Sequence, residues 1–143
     1  IHGCLVGSEM CIRDRVGSWD CNDVRISPTQ VMESTSFVVK DDGTYNSSVR
    51  FRLTEGGIEK TWKAVNSGRY SVEDGQLCYV YHLTEASPEN DAAREHEEHQ
   101  KGLGQMTWTE EMADALAIGK KDCYPIIELS EHRLAYSVST CVR

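Results

Sequence analysis

Two cysteines stand in matching surroundings: Cys78 within Gly75-Gln76-Leu77-Cys78-Tyr79-Val80-Tyr81, and Cys123 within Asp122-Cys123-Tyr124-Pro125-Ile126-Ile127. Each borders a short aromatic, β-branched run of the kind that forms strands. The two runs flank a polar segment with helical grammar. Consecutive strands usually pair, so Cys78 and Cys123 are expected to face each other and clamp both ends of that insert. Cys21 lies near the first strand and Cys141 near the last. These two meet only if the sheet closes on itself. A small sheet stapled in this way belongs in an oxidising compartment, because paired thiols persist outside the cytosol and rarely within it. Structural zinc is the rival use of four cysteines. Its ligands usually come in close C-x-x-C or H-x-x-x-H pairs, whereas these four are far apart.

Residues 1–15 do not behave like the rest. They carry no initiator Met at position 1, no sustained period, and two further cysteines, Cys4 and Cys11, in no recognisable spacing. The stretch Leu5-Val6-Gly7-Ser8-Glu9-Met10-Cys11-Ile12-Arg13-Asp14-Arg15 resembles the translated sequencing-adapter read-through found at the ends of proteins from metagenomic assemblies. The expectation is a non-native prefix, the true start and any export signal lost, followed by one β domain over residues 16–143. The formal net charge is −8. It is unchanged without the prefix, which takes Arg13 and Arg15 away together with Glu9 and Asp14. An acidic chain argues against nucleic acid, where clustered Lys and Arg must displace counterions, and against anionic lipid. The sequence holds no apolar run of about 18 residues, so no membrane span is expected in this segment.

Alternation is strongest from Tyr45. Tyr45, Ser47, Val49, Phe51 and Leu53 occupy one face, and Asn46, Ser48, Arg50, Arg52 and Thr54 the other. This predicts a half-buried antiparallel strand with one wet face. Phe37 to Lys40 and the turn Asp41-Asp42-Gly43 precede it, and Gly56-Gly57 provides a two-residue hairpin after it. The next strand runs from Ile58 to Val72, interrupted at Asn66-Ser67-Gly68, and Asp74-Gly75 turns it into the Cys78 strand. There Leu77, Tyr79, Tyr81 and Leu83 are expected to share a face. Ser87-Pro88 then reads as an N-cap with proline at the first helical position, starting a helix that runs to about Lys101. Thr107-Trp108-Thr109-Glu110 spells a capping box for a second helix, stopped by Gly119. After Tyr124 to Leu129 and the turn at 130–133, the chain is expected to end on one strand from Leu134 to Cys141. The order predicts a mainly β fold: an antiparallel meander curling into a barrel or half-barrel, with a helical insert at about 87–119 before the last two strands.

The opening Val16-Gly17-Ser18-Trp19 resembles the Gly-x-Trp start of lipocalin-like proteins, whose Trp plugs one end of the barrel. Asp42-Gly43-Thr44-Tyr45, Ser67-Gly68-Arg69-Tyr70-Ser71-Val72 and Gly75-Gln76-Leu77-Cys78 are similar to small secreted bacterial domains of unknown function with lipocalin-like meanders. The resemblance implies a lipocalin-like barrel outside the cytosol. It departs from the lipocalin pattern in placing its helical part before the last strands.

His96-Glu97-Glu98-His99 is the most metal-like motif. A zincin needs histidines at i and i+4, and here the spacing is i and i+3. With Glu95 or Glu89 the pair would make a site. The competing reading is a solvated helix face on which the acidic residues pair with Arg94 or Lys101. His82, on the face of Cys78 and Val80, and His132 read as single strand or turn histidines. Asn46-Ser47-Ser48 spells a glycosylation sequon, relevant only in a eukaryotic secretory pathway. No catalytic constellation and no cofactor motif is found, so no enzymatic role is assigned. The aromatic set carries the functional expectation. Trp19, Tyr45, Phe51, Trp62, Tyr79 and Tyr81 would face the concave side of the meander, where they either line a ligand pocket or fill a solid core. The leading expectation is an exported binding module, periplasmic or extracellular, for a small apolar or amphipathic molecule. The alternative is an envelope interaction or inhibitor protein with a solid core and the helical insert as its contact surface.

Overall fold

The computed structural model describes residues 16–143. The prefix assigned to residues 1–15, with Cys4 and Cys11, lies outside them. The strands are β1 (Gly17–Ser18), β2 (Asp20–Cys21), β3 (Val24–Ser27), β4 (Gln30–Val39), β5 (Thr44–Glu55), β6 (Ile58–Glu73), β7 (Gln76–Pro88), β8 (Lys121–Leu129), β9 (Arg133–Tyr136) and β10 (Ser139–Val142). Two helices, α1 (Asp91–Gly102) and α2 (Trp108–Ala115), separate β7 from β8.

All pairings are antiparallel between chain neighbours from β4 to β10, the meander expected from the regular turns. The spatial order begins with β1 and ends with β2, which are separated only by Trp19. One extended run thus pairs with β4 on one side (Gly17 opposite Val39) and with β10 on the other (Cys21 opposite Cys141). The result is a nearly closed barrel with a single seam at Trp19. Trp19 is 3% exposed, and the Arg143 guanidinium lies over its ring at 4.4 Å from the centroid. Both expected disulfides are present: Cys21–Cys141 across the seam and Cys78–Cys123 between β7 and β8. Each joins residues directly opposed in the ladder. Two disulfides point to an oxidising, extracytoplasmic compartment. Among the described residues no helix is long and apolar enough to cross a membrane.

The β5 alternation holds as read. Tyr45 and Phe51 are buried, while Arg50 and Arg52 on the opposite face pair outside with Glu89 and with Glu33 and Glu59. The tight turns follow their residues: Gly56 and Gly57, and Asp74 and Gly75, all take the positive φ that a two-residue hairpin needs.

Three local readings are corrected. Leu83 does not join Leu77, Tyr79 and Tyr81. A bulge between the β6 and β7 ladders pairs Tyr81 with Gly68 and Leu83 with Ser67, leaving His82 as the extra residue. An extra residue reverses the inside–outside phase, so Leu83 is 44% exposed and Thr84 and Ala86 turn inward instead. His82 itself is exposed at the bulge. The expected break at 66–68 is this bulge within one continuous strand. Second, α1 starts later than Ser87-Pro88, because Ser87 and Pro88 still pair with Lys63 and Trp62 of β6. Asn90 is the cap: its side chain accepts from the Ala93 and Thr61 amides and donates to the Glu59 carbonyl, tying the helix to the strand edge. Third, the final run is the hairpin β9–β10, turned at Ser137 in a left-handed conformation (φ 50°). The capping box at Thr107 and Glu110 forms as read.

Gly68 is where the backbones of β6 and β7 come closest. A Cβ there would stand 2.0 Å from the Val80 carbonyl oxygen. Because the obstacle is backbone, no side chain can yield to it. Gly68→Ala is expected to destabilise the fold by at least about 3 kcal/mol, seen as a lowered urea midpoint with an unchanged slope.

Candidate functional site

The inward side chains form two buried clusters. One gathers Trp19, Phe37, Val39, Tyr45, Tyr70, Leu77, Tyr79, Tyr81, Leu134 and Cys141. The other gathers Phe51, Trp62, Ala64 and Ala93, with Met32, Val49, Trp108 and Met112 against them. Between the clusters the barrel is not filled. A cavity of about 340 Å³ has walls drawn from both: Phe37, Tyr45, Tyr79 and Tyr81 from the first, and Phe51, Ala64, Val49 and Met112 from the second. The space exists because small inward residues, Ser34, Ser47 and Ala64, face the aromatic rings where a solid core would need bulk. Of the lining residues only Asn22, Ser137 and Val138 are exposed, so the mouth lies at the seam, beside the β9–β10 turn. Asn22 spans that rim, accepting from the Thr140 amide at 2.6 Å and donating to the Val138 carbonyl at 3.4 Å.

The walls are uncharged. Among the described residues no Asp, Glu, Lys, Arg or His lines the cavity. Its polar side chains are five tyrosines, four serines and two asparagines. Tyr79 sits at the centre, with ring centroids at 4.8 Å to Tyr45, 6.1 Å to Tyr136 and 6.5 Å to Tyr124, and Tyr124 lies 5.9 Å from Tyr136. The Tyr45 hydroxyl donates to Asn66 Oδ1, and the Tyr81 hydroxyl to Asp122 Oδ2 at 2.5 Å. The Tyr79 hydroxyl is fully buried and interacts with that of Tyr136, which helps it keep its proton. Burial pushes the hydroxyls of Tyr45, Tyr79, Tyr81, Tyr124 and Tyr136 above the ordinary phenol range, and the neighbouring Asp122 carboxylate adds to this at Tyr45, Tyr81 and Tyr124.

Of the six aromatic residues singled out from the sequence, Tyr45, Phe51, Tyr79 and Tyr81 stand on the cavity wall. Trp19 lies beneath Arg143, and Trp62 beneath the helical insert, both away from the wall. Trp62 Nε1 donates to the Glu97 carboxyl at 2.6 Å, and the Thr109 hydroxyl donates to the same oxygen at 2.6 Å. A buried acid from α1 thereby fastens both helices over β6, and α2 contributes Met112 to the cavity wall with Leu116 just beyond its end. His96 and His99 have different surroundings. His96 is half-buried, 3.0 Å from Lys60 Nζ and edge-on to Trp62, with its pKa held below the usual range by burial and then by Lys60; His99 is exposed. Among the described residues no group of three His, Cys, Asp or Glu converges as a metal site would.

The sequence reading passed over Tyr124, Tyr136, Asn66 and the 137–139 rim. Tyr124 shares a strand face with Ile126, a period-two signal that was there to use. Tyr136 was hidden by reading the last hairpin as one strand. No protein-family model matches this chain, and no curated protein matches it.

Two outcomes are expected. Glu97→Ala strands the buried Trp62 and Thr109 donors and should lower stability by about 2–3 kcal/mol, measured by urea unfolding, with Glu97→Gln milder because an acceptor remains. Unfolded tyrosines ionise as pH passes about 10, while the buried phenols keep their protons. Above that pH the folded state therefore binds more protons than the unfolded one, and stability falls as pH rises. Phenolate absorbance of these five tyrosines should then appear together with loss of the fold.

Proposed function

We propose that this protein is an exported, non-enzymatic, lipocalin-like binding module that holds a small apolar or amphipathic molecule inside its barrel, in the periplasm or outside the cell. The observation that carries this reading is the cavity of about 340 Å³ with uncharged walls and a mouth at the seam. Ligand sites are concave, mostly apolar and a few hundred Å³ or more in size, with a small number of polar groups to orient the guest. The mainly aromatic and aliphatic lining, with tyrosine hydroxyls at one end, fits that description. The disulfides support export, and the Gly17-Ser18-Trp19 opening supports the lipocalin-like reading.

A neutral, environment-sensitive fluorophore of matching size, N,N-dimethylnaphthylamine, tests it. Saturable one-to-one binding with blue-shifted emission is expected. Ser47→Phe, which places a ring in the cavity, should abolish the signal while the circular dichroism stays native. Unsaturable, non-specific emission from the native protein would overturn the reading.

A further inference from the structure

We propose that the cavity selects uncharged molecules in which an apolar body carries a carbonyl oxygen, held by the hydroxyls of Ser34 and Ser47. This rests on the binding reading above and adds the polar group of the ligand. The phenols of the wall already have partners: Tyr45 has Asn66, Tyr79 has Tyr136, and Tyr81 has Asp122 and Tyr124. Asn66 is committed too, its amide donating to the Leu83 carbonyl and the Thr84 hydroxyl. Ser34 and Ser47 differ. Both line the cavity and are only half-buried, and their hydroxyls keep accessible surface with no hydrogen-bond partner among the described residues. Ser48, on the outer face of the same strand as Ser47, does have one, the Thr35 hydroxyl.

The two serines share one patch. Ser34 stands opposite Val49 and Ser47 opposite Phe37, so they are diagonal neighbours across the register shift at Thr35. Such diagonals are roughly 7 Å apart. One oxygen between the two side chains can therefore accept a hydrogen bond of about 2.8 Å from each. A carbonyl oxygen suits that place, since it has two lone pairs and no hydrogen of its own. An alcohol adds a hydrogen, and one serine must then turn to accept it and gives up its own donation. A pure hydrocarbon leaves both hydroxyls stripped of solvent and unpaired. An ion would find no counter-charge, because among the described residues none that lines the cavity is charged. At about 30 Å³ for each water-sized group, the space takes on the order of a dozen non-hydrogen atoms. That suits a small aromatic or medium-chain ketone or ester.

Three compounds on one skeleton separate the alternatives: butyrophenone, the alkene α-propylstyrene with a methylene in place of the oxygen, and the alcohol α-propylbenzyl alcohol. Each competes with the bound fluorophore at neutral pH. Ser34→Ala and Ser47→Ala should each cut the affinity of the ketone relative to the alkene by about three- to tenfold, one neutral hydrogen bond apiece. Ser48→Ala should leave that ratio as it is. The alcohol should lose less than the ketone in both inward variants. In isotope-edited infrared spectra the bound carbonyl stretch should lie well below its frequency in hexane, and it should rise in each inward variant. A ratio that survives both substitutions, a bound stretch at the hexane frequency, or a larger loss for the alcohol overturns the ligand class and leaves cavity binding standing. If neither the fluorophore nor any of the three compounds binds, the binding reading itself fails. Should an inward variant lose its native circular dichroism, the infrared frequency on the native protein decides alone.

Discussion

A meander of antiparallel strands always ends with two raw edges, and this chain covers both with residues 17–22. Gly17 and Ser18 pair with β4, the Trp19 amide donates to the Phe37 carbonyl at 2.8 Å, and the chain then crosses to β10, where the Asn22 amide donates to Thr140 at 3.0 Å. Uncovered edges are templates for aggregation, and a barrel removes them by closing. The crossing is held by three different interactions. Trp19 is buried in the larger cluster, Arg143 lies over its indole, and Cys21 is bonded to Cys141 one pair further on. The cavity depends on the same closure, because its mouth is framed by Asn22 and the β9–β10 turn.

Bulges then decide what faces the interior. In β4 the register shifts at Thr35, so Met32 and Ser34 face inward before it and Phe37 and Val39 after it. The Thr35 hydroxyl donates to the Ser48 carbonyl at 2.9 Å, satisfying backbone that the shift leaves over. In β7 the shift at His82 sends Leu83 out and Ala86 in, against the second cluster. Gly68 permits this by allowing β6 to lie against the Val80 carbonyl. Strong local twist and bending are what bulges provide, and a barrel this small needs both.

Local rules were readable from the sequence, and long-range ones only in part. The Tyr45–Leu53 alternation, the Gly56-Gly57 and Asp74-Gly75 turns and the Thr107 capping box each depend on residues within one turn or strand, and each appears in the structure as read. Leu83 was misplaced because a bulge depends on the partner strand. Ser87-Pro88 has the spelling of a helix start, yet pairing with Trp62 and Lys63, far away in sequence, kept it extended. The turn at Ser137 carries neither Gly nor Pro, so one strand was read where two exist. For the cavity, the aromatic inward face was legible, but whether it encloses space was not. That outcome turns on Ser34, Ser47 and Ala64, small residues on the neighbouring strands β4, β5 and β6, facing aromatic rings across the interior, a juxtaposition only the closed barrel creates.

The two disulfides close loops of very different length, 45 residues for Cys78–Cys123 and 120 for Cys21–Cys141. The shorter one can form once the helical insert and β8 are made, and it joins strands that neighbour each other in the meander. The longer one joins the first extended run to the last strand, so it has no native partner until almost the whole described chain has been synthesised. Contacts of such separation pay their loop-closure entropy before they return any packing, and they are intrinsically late in folding. Until that strand is made, β1 can already cover the β4 edge, but the barrel stays an open, curved sheet with the β2 side unpaired and the aromatic interior exposed. For this protein the hazardous interval is the wait for its own C-terminal hairpin, and the chemistry that ends it is oxidation of a single pair of thiols.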